Sequence, residues 1–474
     1  MQLIATDTPS VIIGMGLTGM ACARYFCKLN KSFILMDTRE QPPEQALIEA
    51  KKLQANHPKM SLVLGDLDAD ILVHAKQLIL SPGIPKNLAA IEQAKKAGVP
   101  ILGDIQLFID QIRAHSQAKI IGVTGSNGKS TVVTALGLAC EAAGLKTVVA
   151  GNIGVPVLDV LTDTLTDNAR FADVYILELS SFQLELAQRA ALDVASVLNV
   201  SADHMDRYPS LAHYCQAKLR IYFGAKNIVY NVNDMLTIPP LMEYVTRFGF
   251  SIKKPIEETQ IPIYVNSDND IVVDKHVICS VSDFAIKGEH NIENILAVLG
   301  ILHAANIDVH NALTGLTAFT GLPHRCQTVR EAHHVTYIND SKATNVGAAI
   351  AAIKSIKPYC KRIILIAGGD AKGASFSSFA TTVHADVAHI ITFGIDAQTI
   401  NSSINNQQLK GSDNEPCITH QSKNLQDAVD QAHRLACEGD AVLLSPACAS
   451  LDMFSGFEER GEKFVQYVEA LTHA

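Results

Sequence analysis

The sequence has no basic run. Its 39 lysines and arginines are outnumbered by 48 aspartates and glutamates, for a formal net charge of −9. Such a chain fits nucleic acid poorly. Any polyanionic ligand must meet positive charge or metal supplied locally. The ten cysteines include no CxxC pair, the closest spacing being Cys22-x4-Cys27. They read as reduced thiols of a cytosolic protein, not as a disulfide framework. No segment approaches about 18 uninterrupted apolar residues, so no membrane span is expected. The opening MQLIATDTPS lacks a basic stretch followed by an apolar one, so no signal peptide is expected. No internal repeat is visible.

What is present is α/β material. At roughly 100–200 residues per domain, a chain of this length allows about three domains. Apolar residues make up 48% of its 474 positions, and Val/Ile/Leu runs alternate with Ala-rich helical stretches. VIIG, SFILMD, SLVLG and QLILSPG read as short strands in residues 10–103, with AAIEQAKKAG as a helix closed by glycine. DIQLFIDQIRAHSQ (104–117) is amphipathic and is expected to be a helical hinge segment. A second unit starts at KIIGVTG and runs to about residue 321, with DVYILELS and DVASVLNV as buried parallel strands. Residues 251–283 alternate with polar turns and predict a small β-rich insertion. Beyond TGLPHR, four strands (VTYIND, RIILIAGG, HIITFG, AVLLSPA) alternate with helical tracts, and 401–416 reads as a loop. The expected organisation is a Rossmann-like domain over 1–103, a P-loop domain with a parallel sheet over 104–321, and a Rossmann-like domain over 322–474.

Two glycine loops carry chemistry. Gly14-x-Gly16-x-x-Gly19 follows a strand, and Asp37 ends the next one, which is the outline of a dinucleotide fingerprint. Alone it is a weak signal. The second loop, Gly122-Val-Thr-Gly125-Ser126-Asn127-Gly128-Lys129-Ser130-Thr131, lies between a strand and a helix. Its backbone N–H groups and the helix N-terminus suit phosphate oxygens. Lys129 would reach the β/γ-phosphates and Ser130 would face Mg²⁺. It departs from the generic string in having Val at position 123. A lysine-bearing loop implies ATP, and a hydride-transfer enzyme has no need of it, so the first loop is free to hold the diphosphate of another nucleotide.

TGSNGKST is followed in order by GNIG (151–154), LELSSFQLE (177–185), NVSADHMDRY (199–208), AKLRIY (217–222), GEHNIENILA (288–297), GLPHR (321–325), NDSKATN (339–345) and SPACASLDMF (445–454). This set, spanning about residues 10 to 465, closely resembles the Mur ligases. The resemblance implies ATP-driven amide formation in cytoplasmic peptidoglycan precursor synthesis, adding D-glutamate to UDP-N-acetylmuramoyl-L-alanine through an acyl phosphate. The enzyme is expected to act as a monomer.

The resemblance also implies roles for residues. Lys129, Glu178, His204 and Lys218 would be catalytic. Ser130, Glu178, His204 and Lys218, the last as a carbamate, would hold Mg²⁺. Read alone, His204 is equally a surface or core histidine, and Lys218 a helix-surface lysine; a carbamate needs a neutral amine and hence burial. ATP would meet Gly125, Ser126, Asn127, Gly128, Lys129, Ser130 and Thr131, with Asn291 and Asn294 flanking the adenine. His324, Arg325 (phosphates), Asp340 (ribose) and Lys342 would complete that site, although GLPHR also reads as a domain hinge. The UDP substrate would meet Leu17, Thr18, Thr38, Arg39, Ser81, Gly83, Asn152 and Ser180, with the role of Asp37 open. D-Glutamate would meet Thr344, Lys372, Ser450, Leu451 and Phe457. Alone, Lys372 reads as a surface lysine and Ser450 as a helix N-cap. The rival readings are a sister ligase adding another amino acid, and a regulatory protein that senses ATP or NAD without chemistry. Separately packed units with a nucleotide between them imply closure about residues 320–325.

Overall fold

The computed structural model describes residues 8–166, 170–205, 207–240, 244–253, 260–286, 288–406 and 417–471. The chain forms two compact units. The first comprises residues 1–200, 215–281 and 295–317, and the second 201–214, 282–294 and 318–474.

The first unit holds two sheets. Strands Ser10–Ile13, Phe33–Asp37, Met60–Leu64, Leu78–Leu80 and Ile101–Leu102 form a five-stranded parallel sheet. The order reverses beside Ser10–Ile13, which pairs with Phe33–Asp37 on one side and Leu78–Leu80 on the other. Open α/β sheets bind ligands at such a switch point, beyond the carboxyl ends of the strands. The helix Leu17–Lys28 begins there, packed tightly enough that a Cβ on Gly19 would lie 1.7 Å from the Gly14 carbonyl oxygen. No larger residue fits at that crossing.

The second sheet has nine strands. Thr147–Gly151, Val174–Glu178, Lys119–Thr124, Val194–Val197, Asn227–Asn231, Thr246–Ser251 and Ile261–Val265 run parallel. Asp270–Val273 and His276–Ser280 extend its edge antiparallel. The expected β-rich insertion is therefore the continuation of the central sheet. Its short polar turns permit antiparallel return, whereas parallel strands need longer crossovers.

Asp104–His115, expected as an amphipathic helix, is one. Ile105, Phe108, Ile109 and Ile112 form its buried stripe, and Phe108 meets Tyr175 edge-on at 5.3 Å between ring centroids.

The second unit is built on six strands in the order Gln327–Ala332, Val335–Asn339, Ala441–Leu444, Ile363–Gly368, His389–Phe393, Ile418–Gln421. All pairs are parallel except the first. Its central strands are buried on both faces. Ile363, Leu365, Ala441 and Leu443 enter one apolar cluster, and Ile364, Ile366, Val442 and Leu444 enter the other. This two-residue alternation, apolar on both faces, explains why the strands read as unbroken hydrophobic runs. Two of its strands, Gln327–Ala332 and Ile418–Gln421, are edge strands that the sequence pattern did not reveal. Residues 401–405, expected as loop, close the helix Ala397–Asn405, which buries Ile400 and Ile404; the rest of that polar tract, 407–416, lies outside the described residues.

Candidate active site

The strand Lys119–Thr124 delivers the chain into the loop 125–128, and the helix Lys129–Ala142 leaves it. Gly128 makes the turn at φ +82°, a left-handed conformation that favours glycine. Asn199 braces the loop. Its Oδ1 accepts from the Asn127 N–H at 2.8 Å, its Nδ2 donates to the Asn127 carbonyl at 3.1 Å, and its own carbonyl accepts from the Ser126 N–H at 2.9 Å. Lys129 Nζ donates to the Gly125 and Ser126 carbonyls at 2.7 and 3.0 Å. Ser126, Ser130 and Thr131 are buried. Lys218, on the helix Leu211–Leu219, is almost completely buried, and its Nζ donates to the Gly125 carbonyl at 2.9 Å. The structure thus brings Lys218 to the phosphate loop from 93 residues away.

Glu178 ends its strand beside this loop, buried. Asn152 Nδ2 donates to Glu178 Oε1 at 3.0 Å, while Oε2 is buried without a hydrogen-bond partner. An orphaned carboxylate oxygen suits a hard cation that prefers oxygen donors, as Mg²⁺ does. Ser130 adds a hydroxyl. Lys218 as an ammonium offers no oxygen; only its carbamate would. Among the described residues no three His, Cys, Asp or Glu side chains converge as a metal cage. A metal here must therefore draw on such other donors.

His204 belongs to the second unit. It sits at φ +56°, its N–H donates to Asp203 Oδ1 at 2.9 Å, and its ring tilts against Tyr214 at 6.3 Å. Asn345 Nδ2 reaches Asp203 Oδ2 at 3.4 Å.

All eight expected contacts of the UDP substrate line one cleft of about 570 Å³: Leu17, Thr18, Thr38, Arg39, Ser81, Gly83, Asn152 and Ser180. Asp37 also lines it, and its role is now visible. Its Oδ2 accepts from the Met15 N–H at 2.7 Å and Arg39 Nη2 at 2.8 Å; its Oδ1 accepts from the Arg39 N–H and Nε at 2.9 and 2.8 Å. Burial pushes the Asp37 carboxyl up, but these donors outweigh it and hold it below the usual carboxylate value. With both oxygens engaged, Asp37 orients Arg39 and the loop instead of meeting a ribose. Ser180 caps the helix Ser181–Leu186 in a reciprocal box with Gln183.

In the second unit, His324 Nδ1 lies 2.9 Å from Asn339 Nδ2, and its ring meets Phe457 edge-on. Burial pulls its pKa down. Asp340 Oδ2 accepts from Ser445 Oγ at 2.8 Å and Oδ1 from the Cys326 N–H at 3.2 Å, which ties it to the residue after Arg325. Burial pushes the Asp340 carboxyl up to about 7 despite these bonds. Lys342 Nζ lies 3.8 Å from the Phe457 ring centroid, a cation–π contact. Thr344 follows in the same turn, its N–H donating to the Lys342 carbonyl at 2.7 Å. Lys372 is exposed, at φ +48°, and its N–H donates to Asp370 Oδ1 at 2.8 Å. Ser450 is buried and Leu451 exposed. Ser450 opens a turn, accepting from the Met453 and Phe454 N–H groups through its carbonyl, and the next helix starts only at Phe457, with Gly456 as its cap. Ser450 is therefore no helix cap. Asn291 and Asn294 sit half-buried in the first turns of the helix Glu289–Ala304.

Three family descriptions match the chain in order: "Mur ligase MurD-like, N-terminal domain" over residues 8–103, "Mur ligase middle domain" over 123–302, and "Mur ligase, glutamate ligase domain" over 324–448. The chain belongs to the Mur ligase family. It is 52% identical over 464 residues to the UDP-N-acetylmuramoylalanine–D-glutamate ligase of Saccharophagus degradans, covering 98% of each chain. It is 42% identical to the protein of that name from Pseudomonas aeruginosa, covering 99% of this chain and all of the other. Among solved structures, a pseudomurein peptide ligase type C from Methanothermus fervidus aligns over 98% of this chain and all of its own, with TM-score 0.58 at 17% identity. A UDP-N-acetylmuramate–alanine ligase from Thermotoga maritima aligns over 98% and 99%, with TM-score 0.55 at 16% identity. These two likenesses speak to the three-domain Mur ligase fold. All ten cysteines are free, and among the described residues no helix is long and apolar enough to cross a membrane.

Asn199, Asp203 and Asn339 lie in motifs visible in the sequence, but their roles were not legible there. They brace other residues, in part through partners distant in sequence: Asn127 for Asn199, Asn345 for Asp203, and His324 and Gly461 for Asn339.

Proposed function

We propose that this Mur ligase joins D-glutamate to UDP-N-acetylmuramoyl-L-alanine, using ATP, as a monomer in the cytoplasm. The identity of 52% across 98% of a relative bearing that reaction's name carries the proposal. The cleft lined by all eight expected substrate contacts supports it. We assign the UDP-substrate domain to residues 1–103, the ATP domain to 104–321 and the amino-acid domain to 322–474.

The UDP substrate binds with its diphosphate at Leu17 and Thr18, where the helix N-terminus offers N–H donors, and its uracil at Thr38 and Arg39. Ser81 and Gly83 line the uridine part of the cleft, and Asn152 and Ser180 contact the muramoyl-alanine end. Gly125 to Thr131 are assigned to the ATP phosphates, Asn291 and Asn294 to the adenine, and His324, Arg325, Asp340 and Lys342 to further contacts with ATP, Arg325 at the phosphates and Asp340 at the ribose. The alanyl carboxylate attacks the γ-phosphorus and ADP leaves. The D-glutamate amine, held with Thr344, Lys372, Ser450, Leu451 and Phe457, attacks the acyl phosphate carbon. It loses a proton, and inorganic phosphate departs. Lys129 moves with the γ-phosphoryl oxygens as charge shifts, because catalysis of this kind is positioning and electrostatics. Ser130, Glu178, His204 and Lys218 as its carbamate would hold Mg²⁺, whose charge would offset the repulsion between the two anions.

The test is phosphate release from ATP with the UDP substrate present and amino acids supplied one at a time. Release only with D-glutamate is expected. Release with another amino acid would assign the chain to a sister branch, and no release with any would overturn the ligase reading.

A further inference from the structure

Arg460 lies in the helix Phe457–Ala470 with none of its surface exposed. A buried guanidinium usually meets a carboxylate. Here its hydrogen bonds go to neutral oxygens. Nε donates to Ser341 Oγ at 3.0 Å and Nη2 to the Ser341 carbonyl at 2.8 Å. Nη1 donates to the carbonyls of Cys448 at 3.1 Å, Ala449 at 3.3 Å and Gly368 at 3.4 Å. Burial pulls its pKa down to about 10, which leaves it charged at neutral pH.

The acceptors come from three separate segments. Ser341 sits between Asp340 and Lys342, three residues before Thr344. Gly368 ends the strand that leads to Lys372, and Cys448 and Ala449 immediately precede Ser450. The last two segments are themselves joined, since Asp370 and Ala449 exchange backbone hydrogen bonds at 3.0 and 2.8 Å. Ser341 Oγ donates onward to the Phe457 carbonyl at 2.8 Å, closing the set on the helix that carries Arg460. A planar fork with donors at fixed angles suits this many acceptors; an ammonium on a flexible stem does not.

We propose that Arg460 is a positioning residue for the amino-acid site, holding the segments that carry Thr344, Lys372 and Ser450 in one register. The proposal rests on the assignment of those residues to D-glutamate. Its cost explains its strength: a buried cation whose hydrogen bonds all go to neutral oxygens is stable only when its donors are satisfied, so the three segments cannot drift without leaving it unpaired.

The experiment is steady-state kinetics on Arg460→Lys, Arg460→Ala and Ser341→Ala in the full-length enzyme, each checked for folding by circular dichroism. For Arg460→Lys and Arg460→Ala, the KM for D-glutamate should rise about tenfold to a hundredfold, the scale of losing charged hydrogen bonds. The KM for the UDP substrate should stay within about twofold, a change worth only about RT ln 2. Millimolar guanidinium chloride should restore part of the loss in Arg460→Ala and none in Arg460→Lys, whose side chain fills the site. Ser341→Ala, a milder change that tests the same link if the arginine variants fail to fold, should raise the same KM by a smaller factor. A wild-type KM for D-glutamate in Arg460→Lys, or in Ser341→Ala where the arginine variants do not fold, would overturn the proposal. If the wild type itself accepts a different amino acid, the functional reading fails, and the same series run with that amino acid still decides the role of Arg460.

Discussion

Lys129 and Lys218 donate to the same atom, the carbonyl oxygen of Gly125, at 2.7 and 2.9 Å. Two ammonium groups sharing one oxygen repel each other, and Lys218 is almost fully buried besides. Conversion of Lys218 to a carbamate would replace a cation by an anion and turn the repulsion from Lys129 into attraction, which offsets the burial of the charge. Lys129→Ala is expected to abolish phosphate release. Lys218→Ala should lower kcat by at least about a hundredfold, the scale of losing one preorganised electrostatic contact. A small acid such as acetate should restore part of the Lys218→Ala loss by supplying the missing anion. Undiminished turnover of Lys218→Ala without added acid would remove the carbamate role.

Asp37 determines where Arg39 points. Asp37→Asn keeps the shape but turns one acceptor into an N–H₂ group that faces donors from Met15 or Arg39. Arg39 is exposed at its tip, and among the described residues Asp37 is its anchor. The KM for the UDP substrate should rise about tenfold, as expected for a lost charge-assisted pair, with the KM for ATP unchanged. An unaltered KM for the UDP substrate would show that Arg39 keeps its place without Asp37.

Much of this site was legible because its parts are contiguous. A phosphate loop must be a short glycine-rich segment between a strand and a helix, so Gly125 to Thr131 announces itself. The central strands are buried on both faces and read as apolar runs. What could not be read is what depends on distant partners. Asp37 resembled a ribose ligand because its position at a strand end is the one a dinucleotide fold uses; only the coordinates show both its oxygens spent on Met15 and Arg39. Ser450 resembled a helix cap because it is a small polar residue preceding LDMF, yet a turn intervenes before the helix at Phe457. Arg460 gave no signal at all, since EERGEKF reads as an amphipathic helix surface and burial of one arginine leaves no mark on its neighbours. The edge strand Gln327–Ala332 carries Arg and Glu and is only partly buried, so its pattern was too polar to register.

Arg24 links two helices of the first unit. Its Nε and Nη2 meet both Asp159 oxygens at 2.7 and 2.6 Å, and Nη1 meets Glu49 Oε1 at 2.7 Å. The Leu17–Lys28 helix that begins at the UDP cleft is thereby pinned to the helix Val157–Thr166 of the central sheet. A double-mutant cycle with Arg24→Ala and Asp159→Ala should give a coupling of about 1 kcal/mol in urea unfolding, the upper range for exposed pairs given the two-point geometry. Arg24→Lys should recover only part, because one ammonium cannot span both oxygens. A coupling near zero would mean that the helix packing alone holds the two sheets.

Asp340 makes the second unit sensitive to pH in a stated direction. Its carboxyl is raised to about 7 by burial, whereas an unfolded aspartate titrates near about 4. Between these values the folded chain binds a proton that the unfolded chain has lost. Stability contributed by this group is therefore full at low pH and falls as pH rises through that window, with a slope of at most about 1.4 kcal/mol per pH unit. Asp340→Asn should remove the trend. Its amide oxygen can still accept from the Cys326 N–H, and the Ser445 hydroxyl can turn to accept from the amide N–H₂. Asp104, raised to about 6 by burial, adds a trend of the same sign, but it is common to both proteins and cancels in their difference. Urea midpoints measured at pH 5 and pH 8 should thus show the wild type losing stability relative to Asp340→Asn as pH rises. Parallel behaviour of the two, or a wild type that gains on the variant, would mean that Asp340 is ionised in the folded protein and is held by its partners instead of being strained by burial.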